Sequence, residues 1–496
     1  MRIILLYLFL LFSSCIVNAA TFEMTQNCRT AYKAMLKLNF QEAQIHLDKE
    51  KNVHPDNHAV IYIENYIDFL KAFISEDQTD FAILKKNTDD RITLIADLEN
   101  TSPWKRIAKA EMLLQLALVK LKWKEYLTSG YLLRKAYKLM EENDHQFQSF
   151  APNLKSMGFF HSVIGAVPEN YVWLANLAGM KGTIKQGSEE LNKIVSATEL
   201  DPNLSFMKDE CYFIKIFVAM HFEKKHDDAL QLLEKMKGNN PSPGPLHIFI
   251  EANTLMIAGK NDQSLQVLKS FSPEKNQYPL HYLNYLKGII KLNQLDLDAR
   301  TDFNKYISEF KGTGFIKSAI HKNAWISFLR GDTAGYYKNL KLVLKSGADF
   351  TDEDKQAKKD AENKELPNLI LLRARLYFDG GDYTAALAEL ANKPPAMFPR
   401  LKDQLEFTYR LARIFDKKGL LEKAIVYYTK TYENGQNQTW YFAANSALLN
   451  GMLYEQLQKN SDAIMWYKKC LALRNHEYQN SIDQKAEAGL NRLNNK

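Results

Sequence analysis

Apolar and small residues recur at helical spacing along the chain, and the pattern is clearest between residues 405 and 470. Residues 405–435 (LEFTYRLARIFDKKGLLEKAIVYYTKTYENG) and 445–470 (NSALLNGMLYEQLQKNSDAIMWYKKC) show the same order of features. In each, a first helix carries a small residue and an aromatic residue one turn later. A polar turn follows, and the second helix contains the motif Ala-x-x-x-Tyr. The pattern predicts two consecutive helix–turn–helix repeats.

Weaker copies of this pattern cover most of the remaining chain. Residues 27–55 place small and apolar residues at three- and four-residue steps on both sides of a turn at Asn39-Phe40. Turn residues also lie near the middle of four later segments: 248–268, 282–303, 316–340 and 369–390. Proline and glycine are scarce, at 14 and 21 residues of 496, so we expect a mostly helical chain.

The repeat length follows from the small residue of each second helix. Ala386 and Ala424 are 38 residues apart, and Ala424 and Ala463 are 39 apart. The pattern resembles the tetratricopeptide (TPR) family, whose unit is about 34 residues long. This resemblance implies an all-α fold, namely an α-α solenoid, or superhelix, of TPR-like helix–turn–helix repeats. The longer spacing indicates a divergent type, similar to the large TPR proteins that Gram-negative bacteria export.

The TPR resemblance also implies a surface for a partner. In that family the first helix of each repeat lines a concave groove that holds a protein or peptide. The repeat register directs six residues toward this groove: Arg375, Tyr409, Arg413, Asp416, Met452 and Glu455. Arg375 and Arg413 are equivalent in successive repeats, and two such guanidiniums could bind a carboxylate or an acidic peptide. The alternative is that both arginines pair with neighbouring Asp and Glu side chains.

Residues 157–191 interrupt the repeat with five glycines and a proline. This stretch resembles the "P…L…GF-G" signature of a eukaryotic TPR family linked to the clearance of inclusion bodies and lipid droplets. Met180 stands where that family usually has an aromatic residue. The matching residues are Pro168, Trp173, Leu174, Leu177, Gly179, Gly182, Gly187 and Leu191. The aromatic residues Phe159, Phe160 and Trp173 favour an alternative function, an envelope protein that binds a small molecule, glycan or lipid near residues 157–191.

The first twenty residues have the features of an export signal. Arg2 precedes an apolar run from Ile3 to Val17, and Val17-Asn18-Ala19 satisfies the small-residue cleavage rule. We therefore expect a signal peptide at 1–20 and a location in the periplasm, at the outer envelope or outside the cell. Phe12-Ser13-Ser14-Cys15 also resembles a lipobox, so a lipid anchor on Cys15 is a second reading. No later stretch is apolar enough to predict a membrane span.

The loop NNPSPGP at residues 239–245 is the strongest break in the helical pattern. It predicts two arrays, of which the first, at 21–238, contains the interruption near 157–191. The second, at 239–496, has its clearest repeats at 366–475. Within the second array, residues 349–364 predict a charged linker helix with few apolar positions.

Charge and cysteine content restrict the function further. The net charge is +7, and basic and acidic residues are interspersed, which is typical of solvated helix surfaces rather than of nucleic-acid binding. Signal cleavage would leave Cys28, Cys211 and Cys470, which are too few for a disulfide framework. We expect buried thiols with at most one bridge.

No motif for catalysis, a metal or a cofactor is present. HExxH, CxxC and GxSxG are all missing. The leading hypothesis is therefore a non-enzymatic exported scaffold that binds a partner protein or peptide. A hydrolytic enzyme on a helical scaffold would need a polar cluster that the sequence does not indicate.

Overall fold

The computed structural model describes residues 20–167, 179–238 and 242–494, and every regular element in these ranges is a helix. The prediction of an all-α repeat fold is confirmed. Extended pairing in the described ranges is limited to one parallel bridge between Thr21 and Asn57. No helix of the described part is long and apolar enough to cross a membrane.

The described ranges contain 24 α-helices, numbered here in chain order. The first ten are α1 (Gln26–Leu36), α2 (Phe40–Val53), α3 (Ala59–Ser75), α4 (Gln78–Ile95), α5 (Trp104–Lys122), α6 (Tyr126–Gln146), α7 (Asn153–Gly165), α8 (Ile184–Leu200), α9 (Lys208–Val218) and α10 (His226–Gly238). The other fourteen are α11 (Pro245–Ile257), α12 (Asn261–Ser270), α13 (Tyr282–Asn293), α14 (Ala299–Glu309), α15 (Ile316–Leu329), α16 (Thr333–Lys345), α17 (Asp352–Asn363), α18 (Leu369–Asp379), α19 (Tyr383–Leu390), α20 (Leu401–Lys417), α21 (Leu421–Gly435), α22 (Phe442–Gln456), α23 (Asn460–Ala472) and α24 (Gln479–Asn494).

Packing divides the chain into two compact units. Of the described residues, unit 1 takes those within Met1–Gly158, Glu189–Cys211 and Glu274–Tyr278, and unit 2 takes those within Phe159–Ser188, Tyr212–Pro273 and Pro279–Lys496. Residues 1–19 and 239–241 lie outside the described residues. The predicted signal peptide and the predicted division at 238/239 therefore stay predictions.

From α11 onward, unit 2 is built from hairpins whose turns share one backbone geometry. Each first helix ends before a residue with positive φ: Gly259, Leu295, Gly331, Gly381, Gly419 and Gln458. In each turn the N–H of the following residue donates to the carbonyl five residues back, at 2.8–3.0 Å. This bond satisfies a carbonyl that the end of the helix would leave without a partner.

The spacing of these turn residues defines the repeat directly. Successive positive-φ residues are 36, 36, 50, 38 and 39 positions apart. The 50-residue step contains α17, which is the charged helix predicted at 349–364. The repeat therefore extends back to α11, well before the region of clearest sequence pattern at 366–475.

Small residues allow the two helices of a hairpin to approach closely. A Cβ on Gly451 in α22 would lie 2.5 Å from the ring of Tyr467 in α23, and a Cβ on Gly489 in α24 would meet the same ring at 2.5 Å. A Cβ on Gly288 would similarly lie 2.8 Å from Phe303. The tyrosines singled out by the Ala-x-x-x-Tyr motif are therefore packing residues, and Tyr428 and Tyr467 are fully buried.

Unit 1 encloses a charged network that sequence reasoning did not find. Lys155 on α7 is 3% exposed and lies 3.2 Å from Glu111 on α5 and 2.9 Å from Glu210 on α9. Tyr62 and Ser156 donate hydrogen bonds to Glu111. Tyr32 and Tyr66 donate to Glu210, the latter at 2.7 Å. Two buried carboxylates thus share one lysine and four hydroxyl donors.

Electrostatics hold this network in one protonation pattern. Burial raises the pKa of the three tyrosines well above their usual value, with the carboxylates adding to the effect. Burial opposes the charge of Lys155, yet Glu111 and Glu210 raise its pKa well above the usual range. The lysine is therefore a permanent cation that compensates for much of the negative charge of the pair.

All three cysteines of the described ranges are buried free thiols, as the spacing predicted. Burial raises the pKa of Cys28 to about 11 and that of Cys470 to about 12. Burial also raises the pKa of Cys211. Such thiols remain protonated and are poor nucleophiles.

Candidate functional site

The first helices of the unit 2 hairpins carry a row of equivalent positions. The residue six positions before each positive-φ turn residue is, in order, Asn253, Ile289, Trp325, Arg375, Arg413 and Met452. Three of the six predicted groove residues thus occupy one register, set by the turn geometry. The side chains of Arg375 and Met452 are 38% and 44% exposed, respectively.

A polar cavity of about 140 Å³ lies among these helices, and we call it the central cavity. Its walls come from α15–α18, from α20 and from the starts of α22 and α24. Trp325, Tyr336, Tyr441 and Tyr478 provide aromatic surface, and Arg375 is among its cations. The arrangement suits a polar group of a ligand better than an apolar side chain.

Most charges around the central cavity are already hydrogen-bonded to one another. Arg400 donates to Asp403 at 2.8 and 2.9 Å and to Glu365 at 3.0 Å. Lys402 also binds Glu365. Arg410 donates to Glu406, at 2.8 Å from Nε. These pairs fix the shape of the wall and leave few charges for a ligand.

The additional helix α17 forms one side of the cavity. Its Lys359 lies 2.6 Å from Glu477, 118 residues later in the chain, and its Gln356 accepts a hydrogen bond from Tyr478. Both contacts join α17 to the segment that precedes α24. The charged helix is therefore a wall of the cavity as well as a link between repeats.

Arg375 differs from the other cations at the cavity, and it shares an aromatic ring with Lys322, which is not one of the lining residues. The guanidinium of Arg375 lies 5.0 Å from the ring centre of Trp325, and the Lys322 ammonium lies 3.5 Å from the same centre. The nearest carboxylate to Arg375 is Asp379, one turn along the same helix, at 3.5 Å. Burial and the charge of Arg375 lower the pKa of Lys322 to about 7.

Lys322→Met is expected to raise the stability of unit 2 more at pH 6 than at pH 9.5. Below pH 7 the fold must hold a desolvated ammonium. The unfolded lysine stays protonated up to about pH 10.4. The stability of the wild-type protein therefore rises with pH between about pH 7 and about pH 10.4. We expect a gain at pH 6 on the order of 1 kcal/mol, because Lys322 is only half-buried and solvent screens its charge. Thermal unfolding at the two pH values measures the effect.

The control for this prediction is Lys338→Met, which removes an exposed lysine from the same hairpin. It should change the unfolding temperature little, and by the same amount at both pH values. An equal gain in stability for Lys322→Met at pH 6 and pH 9.5 would contradict the lowered pKa of Lys322.

Three of the other predicted groove residues are hydrogen-bonded to side chains of their own or the next hairpin. Tyr409 is only 4% exposed and accepts hydrogen bonds from Arg413 at 3.0 Å and from Asn445 at 2.6 Å. Asp416 accepts from Tyr428 at 3.1 Å, and the equivalent Glu455 accepts from Tyr467 at 2.7 Å. In each repeat the acid therefore binds the buried tyrosine of the second helix. Their proposed contact with a partner stays a prediction.

The glycine-rich stretch is tightly packed where it is described. A Cβ on Gly165 would lie 2.3 Å from the backbone nitrogen of Ile184, and one on Gly182 would lie 2.6 Å from the Cα of His161. Phe160 is buried and Phe159 half-buried. The residues Pro168, Trp173, Leu174 and Leu177 of the proposed signature lie outside the described residues. The predicted ligand cleft near 157–191 therefore stays a prediction.

Metal chemistry has no obvious place in the described part of the chain. No group of three or more His, Cys, Asp or Glu side chains there could hold a metal ion. Arg375 is the cation of the central cavity that is best placed for binding, and it suits an anion.

Comparison with known proteins gives similarity to solved structures alone. A scan against protein-family models matches no family, and a search of the curated proteins finds no match. The chain is similar, at 13% identity and a TM-score of 0.31, to the apo form of the quorum sensor NprR from B. thuringiensis, over 82% of this chain and 97% of that one. It is also similar to the APC/C hetero-tetramer Cut9–Hcn1 (13% identity, TM-score 0.26, 95% of this chain, 97% of that one). At these scores the similarities say nothing about what this chain binds.

Proposed function

We propose that this protein is a non-enzymatic interaction scaffold that holds a protein or peptide partner along the first helices of unit 2. The observation that carries the proposal is the central cavity, where Arg375 lies over Trp325 without a hydrogen-bonded carboxylate among the described residues. Arg413 repeats the arrangement one hairpin later, 5.0 Å from the ring centre of Phe378. Stacked arginines with free donors are suited to binding a partner at a buried interface.

The test is affinity purification of a tagged protein from envelope extracts, followed by mass spectrometry. The double variant Arg375→Gln/Arg413→Gln should retain the partner about tenfold less well, since loss of an interface arginine commonly costs 1 kcal/mol or more. The matched control is Arg373→Gln/Lys430→Gln. It removes the same charge from the same two repeats, at Arg373, which pairs with Glu389, and at Lys430, which is exposed. Equal retention by both double variants would contradict the proposed surface.

Export is part of the proposal and rests on the apolar run and small-residue site in residues 1–20. The partner is then sought in the periplasm, at the outer envelope or outside the cell. N-terminal sequencing of the mature protein tests cleavage after Ala19 or Ala20 against lipidation of Cys15.

A further inference from the structure

We propose that Arg375 and Trp325, at the α15–α18 side of the central cavity, form a binding site for a single carboxylate group of the partner segment, with Lys322 on the same aromatic ring as a second positive charge. Arg375 would bind the carboxylate through two parallel hydrogen bonds, and Lys322 would supply the second positive charge. The inference rests on the proposed function and names the chemical group of the partner that the groove binds.

The first argument is the hydrogen bonding of the cavity cations. Arg400, Lys402, Arg410 and Lys359 each have a hydrogen-bonded carboxylate. In the described part of the chain, Arg375 has only the 3.5 Å contact with Asp379. The fork of its guanidinium therefore has donors to spare, and a carboxylate is the geometric match for that fork.

The second argument is the position of the two cations on one aromatic ring. Lys322 and Arg375 both lie over Trp325, at 3.5 and 5.0 Å from the ring centre. The ring fixes their positions and partly offsets the repulsion between them. An anion that approaches Arg375 is within electrostatic reach of Lys322, since the charge of Arg375 already lowers the pKa of Lys322.

The surrounding acids decide which anion is suitable. Asp360 on α17 and Asp379 on α18 face both cations, Glu353 on α17 faces Lys322, and Glu406 on α20 faces Arg375. His321 lies 3.6 Å from Asp360, and burial lowers its pKa so that the imidazole is neutral. Because these carboxyl groups outnumber the two cations, the surroundings do not favour a ligand with two negative charges, such as phosphate. A carboxylate carries one charge and matches the planar fork of Arg375.

Binding should be coupled to protonation of Lys322. Its pKa of about 7 lies near neutral pH, and a bound anion favours the charged ammonium. The affinity should therefore increase as the pH falls from about 8 to about 6. Above pH 7 the change should approach tenfold per pH unit.

The experiment uses small probes and the full mature protein. Ligand-observed NMR measures the binding of two carboxylate probes. N-acetylglutamic acid α-amide carries a side-chain carboxylate, and N-acetylalanylglycine has a free C-terminal carboxylate that imitates a chain end. N-acetylglutamine amide is the uncharged control, and inorganic phosphate tests the alternative anion. We expect millimolar binding of at least one carboxylate probe, with little binding of the control or of phosphate. The better carboxylate probe identifies the source as a side chain or a chain terminus.

Variants decide whether the named residues are responsible. Arg375→Gln should weaken probe binding at least fivefold, while Arg373→Gln, two positions away on the same helix, should leave it unchanged. Lys322→Met should weaken binding at pH 6 and remove its pH dependence between 6 and 8. Thermal unfolding checks that each variant is folded. Equal binding of the glutamine probe, tighter binding of phosphate, or full binding by Arg375→Gln would each overturn the proposal.

These outcomes are separable from those of the scaffold proposal. If no carboxylate probe binds but Arg375→Gln/Arg413→Gln still loses the partner, the carboxylate site is contradicted and the scaffold proposal stands. If a carboxylate probe binds but the wild-type protein retains no partner, the carboxylate site stands and the scaffold proposal is contradicted.

Discussion

Replacing Lys155 with methionine is expected to destabilise unit 1 by about 3–5 kcal/mol, because it leaves Glu111 and Glu210 buried without a counter-charge. Both carboxylates are 6% exposed, and their lysine partner is 3% exposed. The hydroxyl donors remain, but they cannot replace a full positive charge. Hydrogen–deuterium exchange of peptides from α1–α6, together with thermal unfolding, measures the loss.

The loss should depend on pH in a defined direction. Carboxyl groups stranded in the fold have a pKa above that of the unfolded chain, so the folded variant binds more protons than the unfolded one. The deficit should therefore shrink as the pH falls from about 8 to about 5. Adding Glu210→Gln to the variant should recover part of the stability for the same reason.

Lys138→Met provides the control in the same unit. Lys138 pairs with Glu141, but the two side chains are 41% and 48% exposed, so its loss should cost less than about 0.5 kcal/mol. If Lys155→Met unfolds at the same temperature as this control, the buried network does not carry the stability assigned to it.

Gly381→Ala is expected to destabilise unit 2 by about 2–4 kcal/mol, through a clash between two hairpin turns. An added Cβ would lie 2.3 Å from the carbonyl oxygen of Gly259 and 2.7 Å from its Cα. Both contacts are with backbone, which cannot move aside as a flexible side chain can. Gly381 also has a φ of +82°, which alanine adopts at a cost of roughly 1 kcal/mol.

Gly331→Ala separates the clash from the backbone strain. Gly331 occupies the equivalent turn position with a φ of +80°, and nothing lies within 4 Å of an added Cβ. Gly331→Ala should therefore lower the free energy of unfolding by only about 1 kcal/mol. Urea unfolding of the two variants gives the difference, and equal losses would show that the two turns do not pack as described.

Local sequence pattern predicted the hairpins well because each one depends on neighbouring residues. The helical spacing of small and aromatic residues in 405–470 predicted the packing of Gly451 against Tyr467. The polar run at 349–364 predicted the charged helix α17. The shared geometry of the turns was harder to predict. Leu295 and Gln458 take the same positive φ as the turn glycines, and no glycine in the sequence indicates that conformation there.

The candidate site was predicted only in part. Register placed Arg375, Arg413 and Met452 at equivalent positions, because the repeat length is a local property. Trp325 occupies the same register but precedes the 50-residue step, which conceals the equivalence in the sequence. Lys322 has no distinguishing sequence context, and its lowered pKa arises from burial and from the charge of Arg375, 53 residues away.

The sequence by itself determined that this chain is helical, that its helices pair as hairpins and which faces they bury. Those properties follow from periodicity and turn chemistry within about forty residues. Only the tertiary structure decided which charges are paired and which are left for a ligand. Glu111, Lys155 and Glu210 come together from three helices, and Lys359 meets Glu477 across 118 residues. Charge pairing depends on distances of a few ångströms between remote segments, and no local pattern encodes those distances.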